Sequence, residues 1–471
     1  MTHEYPGPSG PSFAIRVQGE EFHQSHRAAR LWVGPRNRPE AELRWPGDSR
    51  STPASNRGAR RLTETAQAPA DRRQLLVAST TTAFFIGTNG MISLFVPLFA
   101  FELGASPAQI GLLISLGFVL PLFLAMPLGG LVDRRGSRGL ITLSCVVTAV
   151  APLLVWAWPS LIALGILRVV TGVTQLLLVV AAQRHIATLG RGPAAERSFG
   201  WFSTFQSAGQ LLGPLIGGFL LDVLGAGPSF MVAGALAGVA TIISRFIRRG
   251  GDGGDTGRLR PYGSSGEIRG LLDNYGVRMA ILLSCGVLFA QGVRQSFLPI
   301  YLEQLSFAAT TIGLLISLRA LVSMLVRPFM PAIVRGLGGR APAAFTMVLL
   351  LAIGLGATAF IESFTPLAIA AMIVGIGSGI TQPLSVVTIT DYVPRNRLGF
   401  ALGLRLTGNR LAQALSPLLI GFVAEYAGIP WAFIAAAATL FITAAVILRW
   451  RRPFELQEKE AERTERERTA G

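Results

Sequence analysis

Along most of its length the chain alternates long apolar stretches with short polar breaks, and the stretches outrun the core helices of a soluble domain. They fall at 76–101, 108–133, 139–158, 160–182, 199–224 and 228–247, then at 277–303, 310–334, 341–361, 366–390, 398–425 and 430–449. Each is about twenty residues or longer, enough at 1.5 Å per residue to cross roughly 30 Å of hydrocarbon as a helix. Backbone N–H and C=O groups in lipid need partners within their own segment, so the pattern predicts twelve transmembrane helices. The composition agrees: 51% hydrophobic and 14% charged residues exclude an ordinary soluble domain.

The polar residues gather in three places, which sets the expected organisation. Residues 1–72 read as a disordered cytoplasmic N-terminal arm, 73–247 as a six-helix bundle, and 248–275, with its Gly-Gly-Asp-Gly-Gly-Asp run, as a flexible cytoplasmic linker. A second six-helix bundle spans 276–450, and 451–471 is a charged cytoplasmic tail. The net charge of +16 does not point to nucleic acid, because its distribution follows the spans. Arginines occupy every second connection, from Arg134, Arg135 and Arg138 through to Arg449, Arg451 and Arg452; the alternate connections carry none and hold acids such as Glu102, Asp222, Glu303, Glu362 and Glu425. Basic loops stay on the cytoplasmic side, so both termini are expected inside, in a plasma membrane of the bacterial inner type.

Candidate chemistry of other kinds is sparse. Cys145 and Cys285 lie inside apolar runs, and three histidines sit in the arm with His185 apart, so no metal spacing forms and no cofactor is expected. No nucleophile–base pair suggests an enzyme.

The two halves repeat one another. Gly111-Leu-Leu-Ile-Ser-Leu116 recurs as Gly313-Leu-Leu-Ile-Ser-Leu318, and the same register sets Pro97 on Pro299, Gly136 on Gly338 and Arg138 on Arg340. After one further residue of slip, Pro214-Leu-Ile-Gly-Gly-Phe-Leu-Leu-Asp222 matches Pro417-Leu-Leu-Ile-Gly-Phe-Val-Ala-Glu425. Parallel six-span repeats are an architecture of alternating-access carriers, which rock one half against the other around a midplane site.

Three motifs carry a family resemblance. At the end of span two, Gly129-Gly-Leu-Val-Asp133-Arg134-Arg-Gly136-Ser-Arg138 resembles the loop signature G-x-L-x-D-R-x-G-R-[KR] of the major facilitator superfamily, departing at Ser137. Span five holds Gly209-Gln-Leu-Leu-Gly213-Pro214-Leu-Ile-Gly217-Gly218, similar to the antiporter signature G-x-x-x-G-P-x-x-G-G, whose small residues suit a sliding or bending contact between halves. In span four, Arg168-Val-Val-Thr171-Gly172-Val-Thr174 is a weaker match to R-x-x-q-G-x-g. The resemblance implies a twelve-span fold of two pseudo-symmetric bundles and a cytoplasmic gate around Asp133. We expect Asp133 to meet Arg395, Arg397 or the start of span eleven when the inside is closed, and Arg335 to meet Glu196.

Arginines inside a membrane are costly and should face water or a partner. Arg168, Arg294, Arg319 and Arg410 lie deep in their spans and are expected to line a cavity, whereas Arg327 and Arg405 lie nearer the cytoplasmic edge and could snorkel. Neutral polar residues join the candidates: Asn89, Gln175, Gln206, Gln210, Gln291, Gln295, Gln382 and Asn409. No Asp or Glu lies mid-span, and Asn89 and Arg168 stand where many proton-coupled drug exporters place a carboxylate. Such a cavity should prefer neutral or anionic solutes over cations. The reading is a secondary transporter of an amphipathic or anionic metabolite or drug, working by alternating access in the efflux direction. Its partners are a small-molecule substrate, a proton or counter-solute, and the lipid bilayer. An importer or facilitator of the same fold, or a non-transporting membrane sensor, are the alternatives. A monomer is expected, with no nucleic acid.

Overall fold

The computed structural model describes residues 69–189, 193–248, 265–393 and 397–470; for some of these, including 129, 133, 134 and 196, only the backbone helix is described. Among the described residues the chain is helical, with twelve long helices: α1 (Pro69–Glu102), α2 (Pro107–Arg135), α3 (Ser137–Ala157), α4 (Leu161–Ala187), α5 (Pro193–Leu224) and α6 (Ala226–Ser244). The second set is α7 (Tyr275–Gln304), α8 (Ala309–Val326, continuing through a 3-10 turn into Met330–Gly336), α9 (Arg340–Ala357), α10 (Phe364–Tyr392), α11 (Leu398–Ala427) and α12 (Ile429–Ala470). Eleven of them are long and apolar enough to cross a membrane. The other, α11, has the length, at 30 residues, but carries Arg405, Asn409, Arg410 and Gln413.

Side chains that compete for backbone groups mark the turns. Ser106 opens α2 with a capping box to Gln109, Ser160 caps α4 at the Ala163 N–H, and Asn274 caps α7 at Gly276 and Val277. The α2–α3 turn passes through Gly136 at φ 74°, and the α8–α9 turn through Gly338 at φ 83°, the left-handed region where only glycine is at ease. The aligned glycines of the sequence repeat thus perform the same turn in each half.

The expected boundaries shift in two places. α1 begins at Pro69, inside the segment assigned to the arm, and proline suits a first helical turn because its missing N–H is one no helix would use. Residues 1–68 lie outside the described residues, as do 249–264 of the linker. The end of the linker is a short helix, Ser265–Leu272, anchored by buried Leu271 against a small cluster with Val277, Ile389 and Val393. Large apolar side chains such as Leu143, Ile162, Phe219, Ile242 and Ile442 are exposed on the outside of the bundle, as lipid requires. Polar groups turn inward and pair between helices: Thr148 with Thr174 at 2.8 Å, Ser244 with Thr142 at 2.9 Å.

The halves touch along two seams, α2 on α11 and α5 on α8, with α1 and α7 meeting between them. Small residues make the approach possible. A Cβ on Gly111 would strike the Pro417 carbonyl, and one on Gly313 would strike that of Pro214. The Ser115 hydroxyl donates to the Ala414 carbonyl at 2.7 Å, and Ser317 donates to Leu211 at 2.6 Å. At the arginine-poor end the seams finish on acids. The Asp222 carboxylate accepts from the Ala309 and Thr310 N–H groups at 2.9 and 2.8 Å, and Glu425 accepts from Ala108 at 3.1 Å. Each acid lies at the end of one span and caps the start of a span in the opposite half, where the helix dipole favours negative charge.

Candidate functional site

Beneath these seams the halves enclose a cavity of about 360 Å³. Its roof, toward the arginine-poor end, includes a bond between halves in which Gln295 donates to Ser93 at 2.7 Å. The N-terminal half supplies Asn89, Arg168, Gln175 and Gln210 to the wall; the C-terminal half supplies Gln291, Arg294, Gln295, Arg319 and Arg410. Nine of the eleven expected substrate-binding residues are therefore brought together. Two are not. Gln206, one turn from Gln210, is off the wall, and Asn409 is buried at 5% exposure, where its side-chain oxygen accepts from Ser284 at 2.5 Å. Asn409 joins α11 to α7; its neighbour Arg410, a sixth of a helix away in sequence terms and roughly 100° around the axis, faces the cavity.

Arg327, Gln382 and Gln413 also line the cavity and were not among the site residues expected there. Arg327 was read as a snorkelling residue; the break of α8 into a 3-10 turn at that point sets it on the cavity wall. Gln413 lies one turn beyond Arg410 on the same helix face, a spacing that could have flagged it. Arg405, by contrast, is an internal brace: its Nε donates to Ser385 at 2.6 Å and its Nη2 to the Gln382 side chain at 2.9 Å.

The wall arginines differ in how they are held. Arg168 is 6% exposed, with its guanidinium over the Phe118 ring at 5.8 Å and a long contact of 3.5 Å to the Ile114 carbonyl, while its Nε has no partner. Gly117 leaves the room it occupies: a Cβ there would come 3.0 Å from the guanidinium. Arg410 reaches Gln413 at 3.4 Å. No carboxylate is present among the residues lining the cavity.

The antiporter-like residues of α5 have a different neighbour from the one expected. Gly209 and Gly213 lie on the Ala83 and Gly87 carbonyls of α1, and Gly217 on Met91, all in the same half. Gly218, against Ala309 of α8, and the Pro214 carbonyl against Gly313 are the parts that face the other half. The glycines mainly let α1 and α5 pack backbone to backbone within one bundle.

At the arginine-rich end, the gate expected around Asp133 cannot be followed through its side chains: Gly129, Asp133, Arg134 and Glu196, with Arg395, lie outside the described side chains. Arg335 and Arg397 are exposed. Gly136 makes the turn already noted. Arg138 donates to the Arg245 carbonyl of its own half at 2.8 Å, and its repeat partner Arg340 pairs with Asp391 of its own half at 2.5 Å. These two basic residues tie helices within a bundle rather than across the halves.

Two bundles related by an internal repeat, meeting over a polar cavity inside a lipid-facing shell, define a carrier architecture. The profile of the Major Facilitator Superfamily matches residues 78–264 and 280–470, and the chain belongs to that family. It is 22% identical over 375 residues to Multidrug resistance protein 1 of Bacillus subtilis, covering 79% of this chain and 95% of that one. It is 29% identical over 161 residues to the quinolone resistance protein NorA of Staphylococcus aureus, a match of 34% of this chain and 41% of the relative. Among solved structures it is similar to a bacterial homologue of the human lysosomal transporter Spinster in an inward-facing, unoccupied conformation, with TM-score 0.67, 17% identity and coverage of 83% and 98%. The nucleoside transporter NupG has TM-score 0.68 at 12% identity, covering 80% of this chain and 98% or more of the other. The protein is thus an integral membrane transporter of small molecules, not an enzyme.

Proposed function

We propose that the protein exports amphipathic or anionic organic solutes by alternating access, with the arginine-rich end and both termini in the cytoplasm of a bacterial-type cell. One observation carries the substrate reading: the wall of the cavity holds Arg168, Arg294, Arg319, Arg327 and Arg410 and no carboxylate. In a low-dielectric setting that many cations attract anions and repel cations. The seams at the arginine-poor end are closed, so with this orientation the cavity belongs to a state open toward the inside. The efflux direction draws support from the relatives named for drug resistance and from the antiporter-like sequence of α5. The absence of a mid-span acid leaves a counter-solute as the favoured coupling partner over a proton held on a carboxylate.

The test is uptake into inside-out vesicles of matched anionic, neutral and cationic solutes. Anions are expected to enter fastest, with rates that fall at least about 10-fold in Arg294→Ala, as for loss of a charged partner. Best transport of cations, unaffected by the arginine substitutions, would overturn the substrate reading; uptake by right-side-out vesicles alone would overturn the direction.

A further inference from the structure

Arg294 of α7 and Arg319 of α8 share more than the central cavity. Both also line two narrow slots behind it, each of about 20 Å³, walled mainly by Leu298, Leu315, Leu355 and Val374. Arg294 makes no hydrogen bond or ion pair with any described residue. Arg319 has a single long contact, 3.5 Å from Nη1 to the Ser378 hydroxyl, and its Nε is buried without a partner. The two cations lie within each other's electrostatic range. The remaining wall arginines are better provided for: Arg168 has the Phe118 ring, Arg410 has Gln413, and Arg327 is exposed to cavity water.

We propose that Arg294 and Arg319 form a subsite for a doubly charged anionic group, a phosphate monoester or a compact dicarboxylate. This rests on the anion-export reading above and narrows it. From behind, the slots have room for about one water each and almost no polar wall, so neither hydration nor a counter-charge can come from that side. The partner must arrive from the cavity. A monoanion offers one charge to two adjacent cations and leaves a net repulsion between them. A group with two negative charges and three or four acceptor oxygens neutralises both and can receive a planar fork from each guanidinium. The apolar slots keep water from competing on the far side, which strengthens each contact. The corresponding wall in the N-terminal half has one arginine, already stacked on a ring, so the anionic group is held by the C-terminal half and the N-terminal half closes over the rest of the solute.

The test uses the full-length protein in lipid nanodiscs and ligands sharing one aromatic ring: phenyl phosphate, phthalate, benzoate, benzyl alcohol and benzylammonium. Calorimetric binding should favour phenyl phosphate or phthalate over benzoate by about 10-fold or more, and Arg294→Gln and Arg319→Gln should each weaken the dianion by about 10- to 100-fold, the range for hydrogen bonds to a charged group. Benzoate affinity should change far less, and Arg327→Gln should change dianion affinity by less than about 3-fold. If a glutamine variant fails to fold, Arg294→Lys and Arg319→Lys keep the charge, lose the fork and should show the same order. Benzoate binding as tightly as the dianions would overturn the paired subsite while leaving anion export standing. Benzylammonium binding best would overturn both, and dianion binding indifferent to both arginines would place the anion elsewhere and sink the subsite.

Discussion

Where α2 meets α11, Gly111 rests on the Pro417 carbonyl, Ser115 donates to Ala414 and Glu425 caps the helix start at Ala108; where α5 meets α8, Gly313 rests on Pro214, Ser317 donates to Leu211 and Asp222 caps Ala309 and Thr310. Position by position the two seams are the same joint built twice. The cavity walls below them are not: the N-terminal half offers Arg168, the C-terminal half Arg294, Arg319, Arg327 and Arg410. The repeat has been kept where the halves must separate and rejoin, and it has diverged where a solute would be held. A rocking mechanism calls for that division, because the opening surfaces see only each other while the wall sees the cargo.

The largest expected effect strikes the joint itself. In Gly111→Val or Gly313→Val the new side chain meets a backbone carbonyl of the facing helix, which cannot yield as a side-chain tip could. Overpacking of this kind costs about 1–3 kcal/mol, enough to shift the population with open seams by roughly 10- to 100-fold. With Cys145 and Cys285 replaced and a single cysteine in place of Gln210 on the cavity wall, an impermeant thiol reagent applied from the arginine-poor side should label at least about 10-fold faster in both variants. Gly139→Val, whose Cβ meets nothing, should leave labelling unchanged. A response from one seam and not the other would break the equivalence.

The repeat that builds the seams was legible in the sequence because Gly, Pro and acidic positions recur at fixed spacing, which apolar composition alone does not produce. The helices were legible because lipid leaves the backbone no other structure. What periodicity could not supply was the identity of the neighbour. The α5 glycines line one face, and that face meets α1 for three of them and α8 for Gly218. Asn409 and Arg410 are adjacent in sequence yet fall on different sides of α11, one bonded to Ser284 and one on the cavity. The polarity of each was plain, but only the packing of α7 against α11 decides which is enclosed. Arg405 and Arg327 were placed at a similar depth by counting residues; the first is bonded to Ser385 and Gln382, and the second is turned to the cavity by the break in α8. Arg294, Arg319 and Arg168 were readable because a charge that deep has few alternatives to a wet wall.

A smaller effect comes where the two seams differ. Asp222 accepts from two backbone N–H groups and Glu425 from one, because the residue of α2 that corresponds to Ala309 is Pro107, which has no N–H to give. Removing Asp222 therefore frees two helix-start donors and removing Glu425 frees one. Asp222→Ala is expected to raise thiol labelling from the arginine-poor side by about 3- to 10-fold, in line with the loss of a helix cap, and Glu425→Ala by about half that on a logarithmic scale. Pro107→Ala restores the missing donor, so Glu425→Ala made in that background should move toward the Asp222→Ala value. Equal effects of the two acids in the parent background would mean that the carboxylates act by charge alone and not through the amide bonds.

The smallest effect separates the two serines, and it tests whether a joint that looks duplicated is also energetically duplicated. Ser317 Oγ donates across the seam to the Leu211 carbonyl at 2.6 Å, and no second acceptor is in reach of it. Ser115 Oγ lies 2.7 Å from the Ala414 carbonyl across the seam and 2.9 Å from the Gly111 carbonyl one turn back in its own helix. When the seam opens, Ser115 keeps an acceptor within α2, whereas Ser317 must find one elsewhere. The cross-seam bond at Ser115 therefore replaces another bond, and its net weight is lower. Interhelical hydrogen bonds in membranes average about 0.6 kcal/mol, so Ser317→Ala should raise the labelling rate by about 3-fold and Ser115→Ala by less than about 1.5-fold. Both changes remove one oxygen from a buried, close-packed site and leave no steric difference between them, so the ratio of the two rates reads the availability of the second acceptor. A ratio of one would make the seams equivalent in energy as well as in geometry; a larger effect at Ser115 would show that its bond within α2 is not available once the halves part.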